Sequence, residues 1–494
     1  MRFRLPGLRG RRASGRAEGF DRRLVAPMIL GSILNPVNSS MLAVALVPIG
    51  RAFDAPPSQT AWLVSALYLA TAVGQPVIGR LVDSFGPRTL YLVGTSLVGV
   101  AGLLGVLSPS LAVLVVSRVL LGFGTSAAYP ASMYLLRSES DRTGLKSPSG
   151  ILSALSLSNQ VIAVVGPTLG GLLIGAGGWH LVFGINVPLS AACLLLGARR
   201  LPRLSALRAA AAERAAAGGG PVPAAPARES VDVPGMVLFA GTLTSFLLFL
   251  MNPGLAHWYL LVLGTLLGTG FVLRELRVAR PFIDLRVLGG NAPLLATYAR
   301  GLLAAISSYS FLYGFTQWLE EGRSLSASGA GLLLLPMSAM AIVVTAVTGR
   351  HAAVHGKLVA GGLAQVLGCG ALLLLGPGSP VWVLVLVAAF MGLPQGLNGL
   401  ANQNALYGQA DPARMGSSAG LLRTFMYLGA LVSSAANATF YKDGATTGGM
   451  HELSALLVGV SGLLLLLTLL DRSLRHVGKD RGRDRAEEKA PSRT

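Results

Sequence analysis

Residues 79–108 read GRLVDSFGPRTLYLVGTSLVGVAGLLGVLS. The first ten form a charged turn, and the last twenty, from Thr89, contain no Asp, Glu, Lys, Arg or His. A helix rises about 1.5 Å per residue, so an uncharged run of roughly twenty residues matches the ~30 Å hydrocarbon layer of a bilayer. The pattern of short charged turn and long apolar run recurs from end to end. Fourteen stretches are long enough to cross, at 24–48, 61–80, 89–108, 110–136, 149–176, 180–198, 233–251, 257–274, 292–318, 328–349, 358–376, 380–402, 416–440 and 452–470. The fold class expected is an all-α polytopic membrane protein, and its function should lie inside the helix bundle.

Composition agrees. Hydrophobic residues make up 52% of the chain and charged residues 12%, about half the charge of an ordinary soluble protein. The net charge of +19 does not imply a nucleic-acid partner, because its distribution is topological. Arginines crowd both tails, and the loops after even-numbered spans are basic, as in Arg137, Arg142 and Lys146, or Arg274, Arg277, Arg280 and Arg286. Loops after odd-numbered spans offer only Arg51, Arg323 and Lys442. Positive loops stay on the cytoplasmic side, so both termini are expected there, with the basic tails against anionic lipid headgroups. The basic, then apolar, N-terminus is read as an uncleaved first span, since its apolar run is too long for a signal peptide. Cys193 and Cys369 lie inside spans and imply no disulfide framework. His351 and His355 lack further ligands, so no metal site and no cofactor is expected.

The expected organisation is a basic tail (1–23), a six-helix bundle (24–198), a linker (199–232), a helix pair (233–274), a loop (275–291), a second six-helix bundle (292–470) and a basic tail (471–494). The outer sixes echo each other. Gly79-Arg80 and Gly86 after span two match Gly349-Arg350 and Gly356 after span ten, and Ser149-Gly150-Ile151-Leu152 in span five matches Ala419-Gly420-Leu421-Leu422 in span thirteen. Such repeats suggest a two-half transporter with its site between the halves.

Several residues are costly where they stand. Arg118 in span four and Arg300 in span nine are charges within hydrocarbon, which usually face a cavity or a partner. Arg423 lies about two turns into span thirteen. Span one carries Asn35, Asn38, Ser39 and Ser40 and no acid; these groups bind a ligand or tie helices together, but they do not shuttle protons. Span nine adds Tyr313 and Gln317. Span twelve adds Gln395, Asn398 and Asn402, whose spacing of three and four puts them on one face. That face is a cavity wall or a helix-to-helix contact.

In Gly79-Arg80-Leu81-Val82-Asp83-Ser84-Phe85-Gly86-Pro87-Arg88 the glycines permit a tight turn, and Asp83 can latch onto a neighbouring helix N-terminus or an arginine. At this point the chain resembles the major facilitator superfamily, whose signature after the second helix has Gly, Asp, Gly and Arg at Gly79, Asp83, Gly86 and Arg88. Arg118 followed by Gly122 and Gly124 is similar to the family's fourth-helix arginine, tied there to substrate or proton handling. Gly166-Pro167-Thr168-Leu169-Gly170-Gly171 resembles the core of the antiporter motif, with Ser153 and Ile162 where upstream glycines are expected. Gly178-Trp179-His180 through Ile185-Asn186-Val187-Pro188, and Pro281-Phe282-Ile283-Asp284-Leu285-Arg286, look like the fourteen-span drug:proton antiporter group. There, span one usually carries an aspartate that is missing here.

The resemblance implies two six-helix bundles plus an inserted two-helix hairpin in the plasma membrane, and the richness in Ala, Gly and Arg points to a bacterium. It implies export of amphiphilic small molecules, drugs or toxic metabolites, by alternating access and proton antiport. Uptake or exchange of a metabolite on the same fold is the alternative. An enzyme would need a dyad, metal set or nucleophile–base pair, and none is found; neither tail is large enough for a sensor's output domain. With arginines but no carboxylate deep in the spans, neutral or anionic substrates are expected over cations. The coupling candidates are Glu320, Glu321, Asp54 and His180, at the outer ends of spans.

Overall fold

The computed structural model describes residues 21–143, 149–207, 209, 232–251, 254–279, 281, 283, 285–287, 290–348, 354–410 and 415–475. Among these the secondary structure is helical, with no strand. Nine of the described helices are long and apolar enough to cross a membrane, or ten if the bent first segment counts as one span. The expected stretches at 149–176, 292–318, 358–376 and 416–440 are also helical, as Ser149–Gly177, Ala292–Ser310 with its continuation, Val354–Leu372 and Met415–Phe440. Of Ser149–Gly177, Val165–Gly177 stands as a shorter apolar helix. The polar residues that lower hydropathy here, such as Ser307, Ser310 and Gln365, are buried, so these helices turn polar groups inward rather than toward lipid.

Two segments are irregular in ways that hydropathy does not register. The first runs Val25–Ser32, Leu34–Met41, a 3-10 turn at Leu42–Val44 and Leu46–Phe53, with a 62° bend before the last piece. Pro48 has no N–H to give to the Val44 carbonyl, which puts a break at the bend, and the Ser39 and Ser40 hydroxyls donate back to the Pro36 carbonyl, at 3.3 and 2.5 Å. In the ninth, Ala292–Ser310 passes into a π turn at Phe311–Phe315 and then Thr316–Glu321. Single π turns of this kind often occur at functional sites.

Two large apolar clusters dominate the core, beside two smaller ones. One cluster gathers residues between Leu24 and Leu201, joined by Leu247, Tyr313, Ala430, Leu431, Ala435 and Ala438; the other gathers residues between Leu303 and Leu464, joined by Val44. Each half therefore lends a few residues to the other's core, and these mark the seam. Val233–Met251 and Trp258–Arg277 pack against each other through Phe239 and Phe271, with ring centroids 5.3 Å apart. Arg274 pairs with Asp232 at 2.8 Å, and Ile283 N–H donates to the Glu275 carboxylate, pinning the following turn. The pair's inner face meets Val73, Leu421 and Leu422, while Val237, Trp258 and Leu266 lie open, as lipid-facing side chains do.

The face that carries the turns at Asp54, Gly178, Ser324 and Gly444 is poor in basic charge, with acids such as Asp54, Glu320 and Glu321 balancing Arg51 and Arg323; the opposite face is basic. Toward the charge-poor face the halves close tightly. Thr168 donates to the Gly331 carbonyl at 2.8 Å, and Ser328 to the Gly171 carbonyl at 2.6 Å. A Cβ on Gly331 would sit 2.5 Å from the Pro167 carbonyl oxygen, and one on Gly171 2.6 Å from that of Ala327. Only hydrogens fit there. Gly166 and Gly170 admit the backbone and Ser40 of span one in the same way, so all four antiporter-motif residues build contacts. A second seam runs Ser65 to Ser434 at 2.9 Å and Ser434 to the Ala61 carbonyl at 2.8 Å.

On the basic face, Gly86 ends the helix Pro57–Phe85 at φ 90°, a conformation natural to glycine. Arg88 then donates to the Ala198 carbonyl at 2.7 Å, closing the last turn of span six. Gly79 lies within the helix, and the Asp83 side chain lies outside the described residues, as does most of the 199–232 linker. Both tails are described only at their edges, 21–23 and 471–475.

Candidate functional site

Four tyrosines from three helices converge at the seam. Tyr68 stands on Pro57–Phe85, Tyr309 and Tyr313 on either side of the π turn's start, and Tyr427 on Met415–Phe440. Tyr68 packs edge-on to Tyr309 at 5.2 Å and against Tyr427 at 5.8 Å, and Tyr309 stacks with Tyr313 at 6.2 Å. A phenol is a large apolar surface with one hydroxyl that needs a partner. The Tyr313 hydroxyl donates to the Ser39 carbonyl at 2.9 Å and stands 3.3 Å from the Tyr68 hydroxyl. Since Tyr313 gives its proton to Ser39, Tyr68 is the donor to Tyr313. Gln75 donates to the Tyr427 hydroxyl at 3.2 Å. These bonds cross from one half to the other.

Two guanidinium groups border this layer. Arg118 is 1% exposed. Its Nε donates to the Leu63 carbonyl at 3.0 Å and its Nη1 to the Asn38 carbonyl at 3.1 Å, while Nη2 is buried without a hydrogen-bond partner. Arg423 lies over the Tyr129 ring, 3.6 Å from its centroid, a cation–π contact between the halves. No Asp or Glu among the described residues pairs with Arg118.

Arg300 is the main correction to the sequence reading. It is fully buried but not in this layer. Nη1 pairs with Asp471 at 2.7 Å, and Nη2 donates to Thr297 at 2.6 Å. Thr297 bonds Gln409 at 2.6 Å, Gln409 bonds Ser473 at 3.2 Å, and Ser473 donates to Asp471 at 2.6 Å. This network ties the basic-face ends of three helices of the second half. Burial raises the Asp471 carboxyl, but bonds from Ser473 and Arg300 outweigh it and hold the group below its ordinary value. Arg300 is thus a structural cation with its counter-charge, not a bare charge in a cavity.

The polar residues of spans one and twelve are mostly helix ties. Asn38 and Asn186 exchange reciprocal amide bonds at 2.6 and 2.8 Å, fastening span one to span six. Asn35 reaches Thr125 at 3.1 Å and Thr71 at 3.5 Å. Asn398 donates to Gln365 at 2.8 Å, so it faces span eleven. Asn402 is buried, whereas Gln395 is exposed, so the residues that share this face of span twelve do not share one surrounding. Gln317 donates to the Tyr313 carbonyl at 3.2 Å, bracing the π turn.

The coupling candidates also part company. Asp54 is exposed and caps span one in a left-handed turn. His180 is exposed and stacked on Trp179 at 3.7 Å. Glu321 accepts the Ala445 N–H at 2.6 Å. Glu320 alone of the four is buried, at 2% exposure, and its Oε1 has no hydrogen-bond partner. Arg51 on the facing Leu46–Phe53 helix and the adjacent Glu321 are the charges that act on it.

The sequence reading missed Tyr68, Tyr309, Tyr427, Tyr129 and Gln75 as site residues. A usable signal was present: a phenol inside an apolar span must find a polar partner.

Helices gathered around two large apolar clusters with a polar seam between them suit a transporter. The Major Facilitator Superfamily model matches residues 28–434, and the chain belongs to that family. It is 31% identical over 443 residues to the uncharacterized MFS-type transporter YwoD of Bacillus subtilis, covering 89% of this chain and 94% of that one. It is 31% identical over 326 residues to the tetracenomycin C resistance and export protein of Streptomyces glaucescens, covering 65% of this chain and 56% of that one. It is 24% identical over 427 residues to the riboflavin transporter RibZ of Clostridioides difficile, covering 84% and 87%. Among solved structures, the nucleoside transporter NupG, a point mutant, superposes with a TM-score of 0.60 at 12% identity, covering 90% of this chain and 98% of that one. At that identity the likeness is one of fold.

Proposed function

We propose that the chain is a fourteen-span exporter of neutral or anionic aromatic amphiphiles, working by alternating access and driven by proton antiport. The observation that carries this reading is the seam itself. Tyr68, Tyr309, Tyr313 and Tyr427 offer flat aromatic faces and hydroxyls, and the buried Arg118 beside them pairs with no described carboxylate. Planar molecules stack on such faces, and a cation meets repulsion that a low-dielectric surround strengthens. The relative named for tetracenomycin C export favours outward movement. In the present arrangement the charge-poor seam is shut, and parting it would open the tyrosine layer to that side.

Of the coupling candidates, Glu320 suits the role best. A buried carboxyl without a partner is held in its neutral form more cheaply than as a bare charge, and exposure reverses the balance. The Gly79, Asp83, Gly86 and Arg88 turn acts in this reading as the latch of the basic face. The relative named for riboflavin favours the second reading, metabolite transport in either direction.

The test uses inside-out membrane vesicles given tetracenomycin C, riboflavin or ethidium, with and without a protonophore. The expected result is protonophore-sensitive accumulation of tetracenomycin C and no accumulation of ethidium. Glu320→Gln should keep downhill exchange but lose the proton-driven accumulation. Strong ethidium accumulation would overturn the substrate assignment, and accumulation only in right-side-out vesicles would replace export by uptake.

A further inference from the structure

Spans nine and thirteen pack side by side within the second half, and their glycines fix the register. A Cβ on Gly301 would sit 2.8 Å from Leu422, one on Gly429 2.6 Å from the Leu302 carbonyl oxygen, and one on Gly314 2.8 Å from Asn437 Oδ1. The paired numbers rise together, so the two helices run parallel. Ser310 stands four residues before Gly314 and Ser433 four before Asn437, one turn back on the same faces. The register therefore sets Ser310 level with Ser433, and Asn437 one turn above them, beside the π turn Phe311–Phe315.

All three side chains are buried, Asn437 at 3% exposure and the serines at 0%. Ser310 Oγ, Ser433 Oγ and both amide atoms of Asn437 have no hydrogen-bond partner among the described residues. Neighbouring hydroxyls bond back along their own helices, as Thr439 does to the Ala435 carbonyl and Ser454 to that of Met450. Ser310 and Ser433 do not. The π turn does not engage them either, because its carbonyls at Leu312, Tyr313 and Gly314 are taken by Thr316, Gln317 and Tyr441. Buried polar atoms left unbonded are costly and call for a partner.

The chemistry of the three groups selects that partner. Each hydroxyl donates and accepts, and the amide presents an acceptor on one side and a donor on the other. An apolar filler satisfies none of them. A metal cation suits the oxygens but is repelled by Nδ2, and none of the three groups carries a charge to offset its own. Water donates and accepts in turn, and a buried water makes about three such bonds.

We propose that Ser310, Ser433 and Asn437 enclose an ordered-water site between spans nine and thirteen, and that this water is a joint for span nine. Water trades hydrogen-bond partners in place, so helices bridged by it shift at less cost than helices tied side chain to side chain. The site lies inside one half and stays whole when the halves part. Tyr313, on the π turn, is bonded to the Ser39 carbonyl across the seam, so movement of the first half pulls on span nine at this point. The joint rests on the alternating-access reading, whereas the water site stands without it, and the two have separate readouts.

Cryo-electron microscopy of the full chain in nanodiscs, at a resolution that shows ordered water, tests the site. Density is expected within hydrogen-bond distance of Ser310 Oγ, Ser433 Oγ and the Asn437 amide. Direct contact among the three, or a gap without density, would overturn it. Melting of the wild type and of Asn437→Asp in sodium, potassium and N-methylglucamine chloride separates water from a cation. The wild type should melt alike in all three, and Asn437→Asp lower in all three. Sodium stabilisation that grows in Asn437→Asp would overturn water as the ligand and assign a cation. The joint is followed by single-molecule fluorescence between dyes at Gln59→Cys and Ser324→Cys, on the charge-poor face, in a chain lacking Cys193 and Cys369. Opening should slow about tenfold in Asn437→Leu and in the Ser310→Ala, Ser433→Ala double variant, which decides if Asn437→Leu does not fold. Unchanged opening rates would overturn the joint and leave the water site to the density. A wild type that never opens would overturn alternating access and the joint with it.

Discussion

At the scale of single residues, burial of charge and its compensation set the strongest expectations. Arg300 and Asp471 form a buried pair, and breaking such a pair costs about 3–5 kcal/mol because one charge stays behind. Asp471→Asn should therefore lower the unfolding temperature sharply, whereas a double change to Arg300→Met and Asp471→Leu should recover much of the loss. The pH dependence has a definite sign. The folded Asp471 carboxyl lies below its ordinary value of 3.8, so its contribution is complete above that value and is lost as pH falls through the lower, folded one. Melting curves in nanodiscs should show this acid loss in the wild type and not in the double variant. An identical acid profile in both would refute the pairing. The cost of Arg118 and Arg300 was legible in the sequence, because a charge in an apolar run is visible by itself. Their fates were not, since Asp471 lies past the end of the last span, 171 residues from Arg300.

At the scale of helices, contact distance decides. Apolar runs and loop charges located the helices, yet the bend in span one and the π turn at Phe311–Phe315 had no hydropathy signal. The first follows from Pro48, which cannot bond the Val44 carbonyl; the second carries side-chain bonds from Thr316 and Gln317 to the Leu312 and Tyr313 carbonyls. The glycines of span five were legible as small residues; that Gly171 meets Ala327 and that Gly331 meets Pro167 required the packed helices. Gly331→Leu pushes a side chain into the Pro167 backbone, and such overpacking costs about 1–3 kcal/mol. Borne by the shut state alone, that penalty shifts the open–shut balance by about 5- to 150-fold. Transport should fall by a similar factor while the amount of protein in the membrane stays near wild type. Wild-type transport would show that the halves do not close on this contact.

At the scale of the whole molecule, the charge asymmetry of the loops predicts that both termini and the 199–232 linker face the cytoplasm. Cys193 and Cys369 are buried, so a variant lacking both gives a clean background. In intact cells a membrane-impermeant maleimide should label Ser324→Cys on the charge-poor face and leave Ala210→Cys untouched. Labelling of Ala210→Cys from outside would invert the molecule. The sequence by itself determined the membrane class and the positions of the helical segments. Those properties are sums over neighbouring residues, and a helix of 3.6 residues per turn carries them without help from the rest of the chain. Only the tertiary structure decided which polar groups meet. Tyr68 reaches Tyr313 across 245 residues and Ser65 reaches Ser434 across 369, and such meetings depend on the rotation and crossing of packed helices. The same packing gave Arg300 its anion and left Arg118 without one.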